Sequence, residues 1–164
     1  MHELKVTAGL DKQAAYGELK AQLTGLYLGE RDGLANAANL CALLYHSLPN
    51  LNWAGFYLLR AGELVLGPFQ GKVACVRIAL GQGVCGTAAQ RRETIVVPDV
   101  HAFPGHIACD AASRSEIVLP LLQNARLWGV LDLDSPIPER FDQDDAAGLK
   151  ALVDVFLESS DPIT

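Results

Sequence analysis

No apolar stretch in this 164-residue sequence approaches the roughly 20 residues needed to span a bilayer, so a helical membrane protein is not expected. Basic residues are few: 13 Lys and Arg stand against 19 Asp and Glu, for a net charge of −6. They are also scattered, whereas nucleic acid is bound through a basic face, so no nucleic-acid partner is expected. There is no internal repeat, no low-complexity tract and no C-x2-C pair of the kind that structural zinc sites favour. The opening residues Met1-His2-Glu3-Leu4-Lys5 mix charges and lack the apolar run of a signal peptide, which points to the cytoplasm. Thiols stay reduced there. The four cysteines are then core residues, metal ligands or catalytic groups rather than structural disulfides.

What is present reads as an ordinary globular domain, 50% hydrophobic and 20% charged. A single domain over residues 1–164 is long enough to bury roughly 70% of its unfolded surface and needs no covalent staple. Asp11 caps a first helix that carries Tyr16, Leu19, Leu23, Leu26 and Tyr27 at helical spacing. A second helix follows Arg31-Asp32-Gly33, with Leu34, Ala37, Ala38, Cys41, Leu44 and Tyr45 expected on one face. The two helices occupy residues 11–47. From Trp53 the texture changes to short apolar runs broken by turn residues: a hairpin across Arg60-Ala61-Gly62, a strand Val73–Leu80, a short helix from Val84 and a brief strand at Thr94–Val97. Residues 100–114 show no period and contain Pro104-Gly105, which marks a functional loop. A last hairpin joins Glu116–Leu122 to Leu127–Leu133, so sheet and loop together span about 52–134. Asp142 caps a closing helix over about 142–158, and Ser159–Thr164 reads as a polar tail. Helices at both ends with hairpins between them predict an α+β fold, a central antiparallel sheet with helices packed on it.

The cysteines differ in promise. Cys41 sits on the apolar face of its helix and reads as an inert core thiol. Cys75 shares a strand face with Val73 and Arg77, which argues against the deepest core. Cys85 falls in the first turn of the third helix, where unpaired N–H groups and the helix dipole are expected to lower its pKa; close packing is the equal alternative. Cys109 is the strongest candidate nucleophile, because it lies in the aperiodic loop with His101, His106 and Arg114 in range to stabilise a thiolate. Zinc held by Cys75, Cys85, Cys109 and the histidines is a secondary alternative. The expectation is no metal and no cofactor.

Asp132 and Asp134 are two apart on one strand and face the same side, opposite Leu131 and Leu133. Glu116 opens the neighbouring strand, so all three carboxylates can converge. Clustered carboxylates repel, which raises at least one pKa toward neutrality and makes it a proton donor; the others suit an ammonium group. Trp53 and Tyr57, four apart, share a face and can wall a pocket for a methyl or thioether group.

The runs Asn52-Trp53-Ala54-Gly55-Phe56-Tyr57, Leu66-Gly67-Pro68-Phe69-Gln70-Gly71 and Gly83-Val84-Cys85-Gly86-Thr87-Ala88 closely resemble the free methionine-(R)-sulfoxide reductases. So do Val97-Pro98-Asp99-Val100-His101, the loop from Phe103 to Asp110, Ser113-Arg114-Ser115-Glu116-Ile117 and Leu131-Asp132-Leu133-Asp134-Ser135. The resemblance covers nearly the whole chain. It implies a GAF-like domain, often a homodimer, that reduces free methionine-(R)-sulfoxide with thioredoxin as reductant. It further implies Cys109 as the catalytic thiol, Cys75 as the usual resolving position with Cys85 as an alternative, and Glu116, Asp132 and Asp134 as substrate carboxylates. Trp53 and Tyr57 match residues on the methyl side of the pocket. Two other classes compete, since fold does not fix function: a GAF-type ligand-binding module and a redox sensor. The acidic trio favours the reductase, because a sensor needs thiols but not three converging carboxylates.

Overall fold

The computed structural model describes residues 9–107 and 110–163. Asp11 accepts a hydrogen bond from the Ala14 amide and starts α1 (Lys12–Leu26), and Asp32 does the same through Ala35 for α2 (Gly33–Ser47). Six strands follow: β1 (Trp53–Arg60), β2 (Glu63–Gly71), β3 (Arg77–Ala79), β4 (Ile95–Val97), β5 (Ser115–Gln123) and β6 (Arg126–Ser135). They form one antiparallel sheet in the order β3-β2-β1-β6-β5-β4. Helix α3 (Gly83–Arg91) lies between β3 and β4, and a capping box at Asp142 and Asp145 opens α4 (Gln143–Ser159). The α+β fold expected from the sequence is the one observed.

Strand alternation divides the interior in two. Ala54, Phe56 and Leu58 of β1, Ile117, Leu119 and Leu121 of β5, and Leu131 and Leu133 of β6 face α1, α2 and α4 in the larger core. Trp53, Tyr57, Val118 and Val130 face the other way, toward α3 and the loops, in a smaller core. The carboxylates of the last hairpin share this second face, where the apolar layer is incomplete.

Three local expectations are corrected. Only Arg77–Ala79 of the expected strand Val73–Leu80 pairs with β2. Residues 72–76 arch away, apart from the bond that the Leu66 amide of β2 donates to Val76 O (3.0 Å), because two of their carbonyls serve the smaller core: Trp53 Nε1 donates to Lys72 O (3.1 Å) and the Tyr57 hydroxyl donates to Cys75 O (3.0 Å). The period-two argument for Cys75 therefore does not apply. On α2 the buried stripe includes Asn36, Leu40 and Leu43 beside Ala37, Cys41 and Leu44, while Leu34 is 55% exposed and Ala38 faces solvent. Buried Asn36 sets this rotation, donating to Ser160 Oγ (3.0 Å) and accepting the Tyr27 hydroxyl at its carbonyl (2.7 Å). The polar tail is docked: Ser160 is buried, the Asp161 amide donates to Arg31 O (2.8 Å), and Arg31 pairs with the Asp161 carboxylate.

Helices α1 and α4 meet at Tyr16, whose hydroxyl donates to buried Asp145 (2.8 Å). Gly148 lies beneath that ring, and a Cβ there would stand 2.2 Å from Tyr16 Cγ. Alanine at an ordinary helical glycine stabilises by up to about 1 kcal/mol. At Gly148 the ring has no room to give, so Gly148→Ala is expected to destabilise by roughly 1–3 kcal/mol in urea unfolding.

Candidate active site

The pocket opens on the second face of the sheet, between β1, β5, β6, the start of α3 and the loop that precedes β5, with about 440 Å³ of empty space that includes its solvent-open mouth. One wall is aromatic. Trp53 and Tyr57 stack with ring centroids 5.9 Å apart, and Phe69 stacks on Trp53 at 5.4 Å. Gly55, between them in β1, makes this possible, since a Cβ there would stand 2.5 Å from the Trp53 ring. Both polar ends are occupied by the carbonyls of Lys72 and Cys75, so the rings present apolar surface to the pocket.

The opposite wall is acidic. Register pairs Glu116 with Asp134 across β5 and β6, and places Asp132 opposite side-chain-less Gly55 on β1. Glu116 and Asp132 are only 5% and 6% exposed. Burial, followed by the charges of Asp132 and Asp134, pushes the Glu116 carboxyl well above its ordinary range. Burial and then Asp132 do the same to Asp134. Asp132 is pushed up to about 7 by burial, against hydrogen bonds from Cys85 and Glu116 that favour its charged form. The expected convergence of the three carboxylates is realised in the geometry.

The cysteines separate further. Cys85 is buried in the first turn of α3 with Sγ 4.0 Å from Glu116 Oε1. Burial and then the charges of Asp132 and Glu116 raise its thiol pKa, so the lowering expected from the helix terminus is overturned: desolvation and two acids outweigh the dipole. Cys75 is half-buried in the arched segment, and its neighbour Ala74 lines the pocket. Cys109 lies outside the described residues; Ile107 and Asp110, the described residues on either side of it, line the pocket. Among the described residues the donors brought within 4.8 Å of one another as a possible metal group are Cys85, Glu116 and Asp132, a different set from the cysteines and histidines considered above.

His106 also lines the pocket, with Nε2 3.6 Å from Glu116 Oε2. Burial and then the charge of His101 lower its pKa, while burial raises that of Glu116, so both groups are biased toward their neutral forms. His101 is exposed and contributes no pocket wall, and neither does Arg114. Asn52, Lys72 and Ser113 were not anticipated. Asn52 Nδ2 donates to Asp110 Oδ2 (3.2 Å) and Ser113 Oγ (3.0 Å), and Lys72 Nζ lies 3.3 Å from Asp110 Oδ1. The Ala112 amide and then Asn52 hold the Asp110 carboxyl below its usual range. Partners 58 residues apart leave no local sequence signal. Among the described residues no helix is long and apolar enough to cross a membrane.

Residues 18–156 match the GAF domain family, so the protein class is that of a GAF domain. The chain is 54% identical over 144 residues to the free methionine-R-sulfoxide reductase of Escherichia coli (strain K12), covering 88% of this chain and 87% of that protein. It is 43% identical to the free methionine-R-sulfoxide reductase of Saccharomyces cerevisiae, covering 93% of this chain and 89% of that one. The X-ray structure of free methionine-R-sulfoxide reductase from Neisseria meningitidis in complex with its substrate superposes with a TM-score of 0.92 at 45% identity, over 97% of this chain and 95% of that chain. Within the GAF class, the chain belongs to the free methionine-R-sulfoxide reductases, a family of oxidoreductases.

Asp132 binds its proton more tightly in the folded chain than in the unfolded one, where its pKa is near the ordinary 3.8. Below that value both states hold the proton and no charge is buried; stability is lost as pH rises from there toward 7, where the folded state alone still holds the proton. The Asp132→Asn variant lacks this loss. Its stability relative to the wild type is expected to rise by roughly 1–3 kcal/mol between pH 4 and pH 8 in urea unfolding, whatever constant offset the amide introduces.

Proposed function

We propose that this chain, one GAF domain over residues 1–164, reduces free L-methionine (R)-sulfoxide to L-methionine with Cys109 as nucleophile. The observation that carries the reading is the opposition of an apolar aromatic wall and a buried carboxylate trio across one pocket flanked by Ile107 and Asp110. Trp53 and Tyr57 suit the methyl and thioether end. An ionised carboxylate among Glu116, Asp132 and Asp134 suits the ammonium group, which exists only on the free amino acid; within a peptide that nitrogen is a neutral amide. Asp132, at about 7, is close to the optimum for a proton donor at neutral pH.

In the reaction the Cys109 thiolate attacks the sulfoxide sulfur, and a pocket carboxyl protonates the oxygen. The S–O bond breaks, oxygen passes to Cys109 as a sulfenic acid, and methionine leaves with its sulfur reduced. A second thiol then attacks the sulfenic sulfur and expels water, forming a disulfide. Cys75 suits this role: it is half-buried between Val73 and Val76, which are 87% and 64% exposed, whereas Cys85 is 4% exposed beside two acids. Thioredoxin reduces the disulfide by exchange in the cytoplasm, itself becoming oxidised. The family resemblance also supports a homodimer.

The test is incubation of the reduced protein with racemic free methionine sulfoxide and thioredoxin, followed by separation of the isomers. The R isomer alone is expected to disappear. Cys109→Ser is expected to abolish turnover while still binding substrate. Survival of both isomers, or full activity in Cys109→Ser, contradicts the assignment.

A further inference from the structure

The steps above give no task to Cys85, a buried thiol that lines the pocket. Cys85 Sγ sits among a Glu116 carboxylate oxygen and an Asp132 carboxylate oxygen, all within 4.8 Å of one another. Glu116 stands opposite Asp134 across β5 and β6, and His106 Nε2 stands 3.6 Å from its other oxygen. A second observation points to a missing cation. Asp132 Oδ1 is buried and has no hydrogen-bond partner among the described residues, although Asp132 is 6% exposed and lines the pocket. A buried acceptor without a donor costs about 1–3 kcal/mol, and a positive ligand removes that cost.

We propose that Cys85, Glu116 and Asp132 form a binding site for a zinc ion, whose occupancy blocks the pocket. One sulfur and two oxygens from three side chains make a three-ligand set that leaves a fourth, open position for water, the pattern of an accessible zinc site. The thiolate selects zinc over magnesium or calcium, which take oxygen ligands at higher coordination number. Zinc–sulfur and zinc–oxygen distances of about 2.3 and 2.0 Å place sulfur and oxygen roughly 3.5 Å apart in a tetrahedron. The 4.0 Å between Cys85 Sγ and Glu116 Oε1 therefore needs only a small side-chain rotation to close. Charge agrees as well. Three acids facing one another in a buried pocket repel when ionised, and a divalent cation relieves most of that repulsion. Because Glu116 and Asp132 also stand where the ammonium group is proposed to bind, metal and substrate exclude one another. The site stands independently of the reductase reading; only the inhibition rests on it.

The probe is cobalt(II), added to the full-length reduced protein after chelator treatment, without substrate. One equivalent is expected to give the near-ultraviolet sulfur-to-cobalt charge-transfer band, and zinc is expected to remove it. The band is expected to vanish in Cys85→Ser and to survive in Cys75→Ser and Cys109→Ser. The near-isosteric Asp132→Asn, checked by circular dichroism to be folded, is expected to weaken cobalt at least tenfold. Zinc is then expected to raise the apparent KM for the sulfoxide without changing kcat. No band, a band indifferent to Cys85→Ser, or one lost with Cys109→Ser overturns the site. A band with the expected variant pattern in a protein that turns over no sulfoxide keeps the site and overturns the reductase reading instead.

Discussion

The structure depends on a single register: Glu116 of β5 opposite Asp134 of β6, with Asp132 two residues along on the same face. Every second residue of that hairpin feeds the larger core, where Ile117, Leu119, Leu131 and Leu133 are fully buried. A one-residue slip of β6 would drive Asp132 and Asp134 into that core and expose Leu131 and Leu133. The hydrophobic effect on one face therefore holds the carboxylates together on the other, against their mutual repulsion. The arrangement costs stability locally, and the large helix-covered core is what sustains it.

The second face is left unfinished in a specific way. Phe69, Trp53 and Tyr57 supply apolar area, and Gly55, opposite Asp132 on β1, makes room for the Trp53 and Phe69 side chains. Carbonyls of the arch at 72–76 occupy the polar ends of the aromatic pair, and Asp110 ties the loop before β5 back to Asn52 and Lys72. The pocket is thus closed by long-range tethers between loops together with the start of α3. The electrostatics follow from that enclosure: burial pushes all three carboxyls up, Asp132 to about 7 and Glu116 and Asp134 well above the ordinary range.

Much of this was legible in the residues. Caps at Asp11 and Asp142 and the period of β1, β5 and β6 determine the elements and the face on which Glu116, Asp132, Asp134, Trp53 and Tyr57 stand, because these signals are local. The expected strand through Cys75 was not what forms, since side chains of Trp53 and Tyr57, some 20 residues away, take its carbonyls. The thiol of Cys85 was misjudged for a related reason. Its helix position is written in the sequence, whereas the two acids beside it arrive from β5 and β6 only on folding. The substrate and its handedness came from family resemblance, which periodicity and composition do not contain.

The central claim is that this pocket lets one thiol take oxygen from one sulfoxide isomer. Its most direct measurement is a single turnover of the reduced protein with free methionine-(R)-sulfoxide and no thioredoxin, followed by quantification of methionine and peptide mapping. The account predicts about one methionine per chain and a disulfide joining Cys109 to Cys75. Absence of methionine, or methionine formed with Cys109 still a thiol and unlinked, would contradict it.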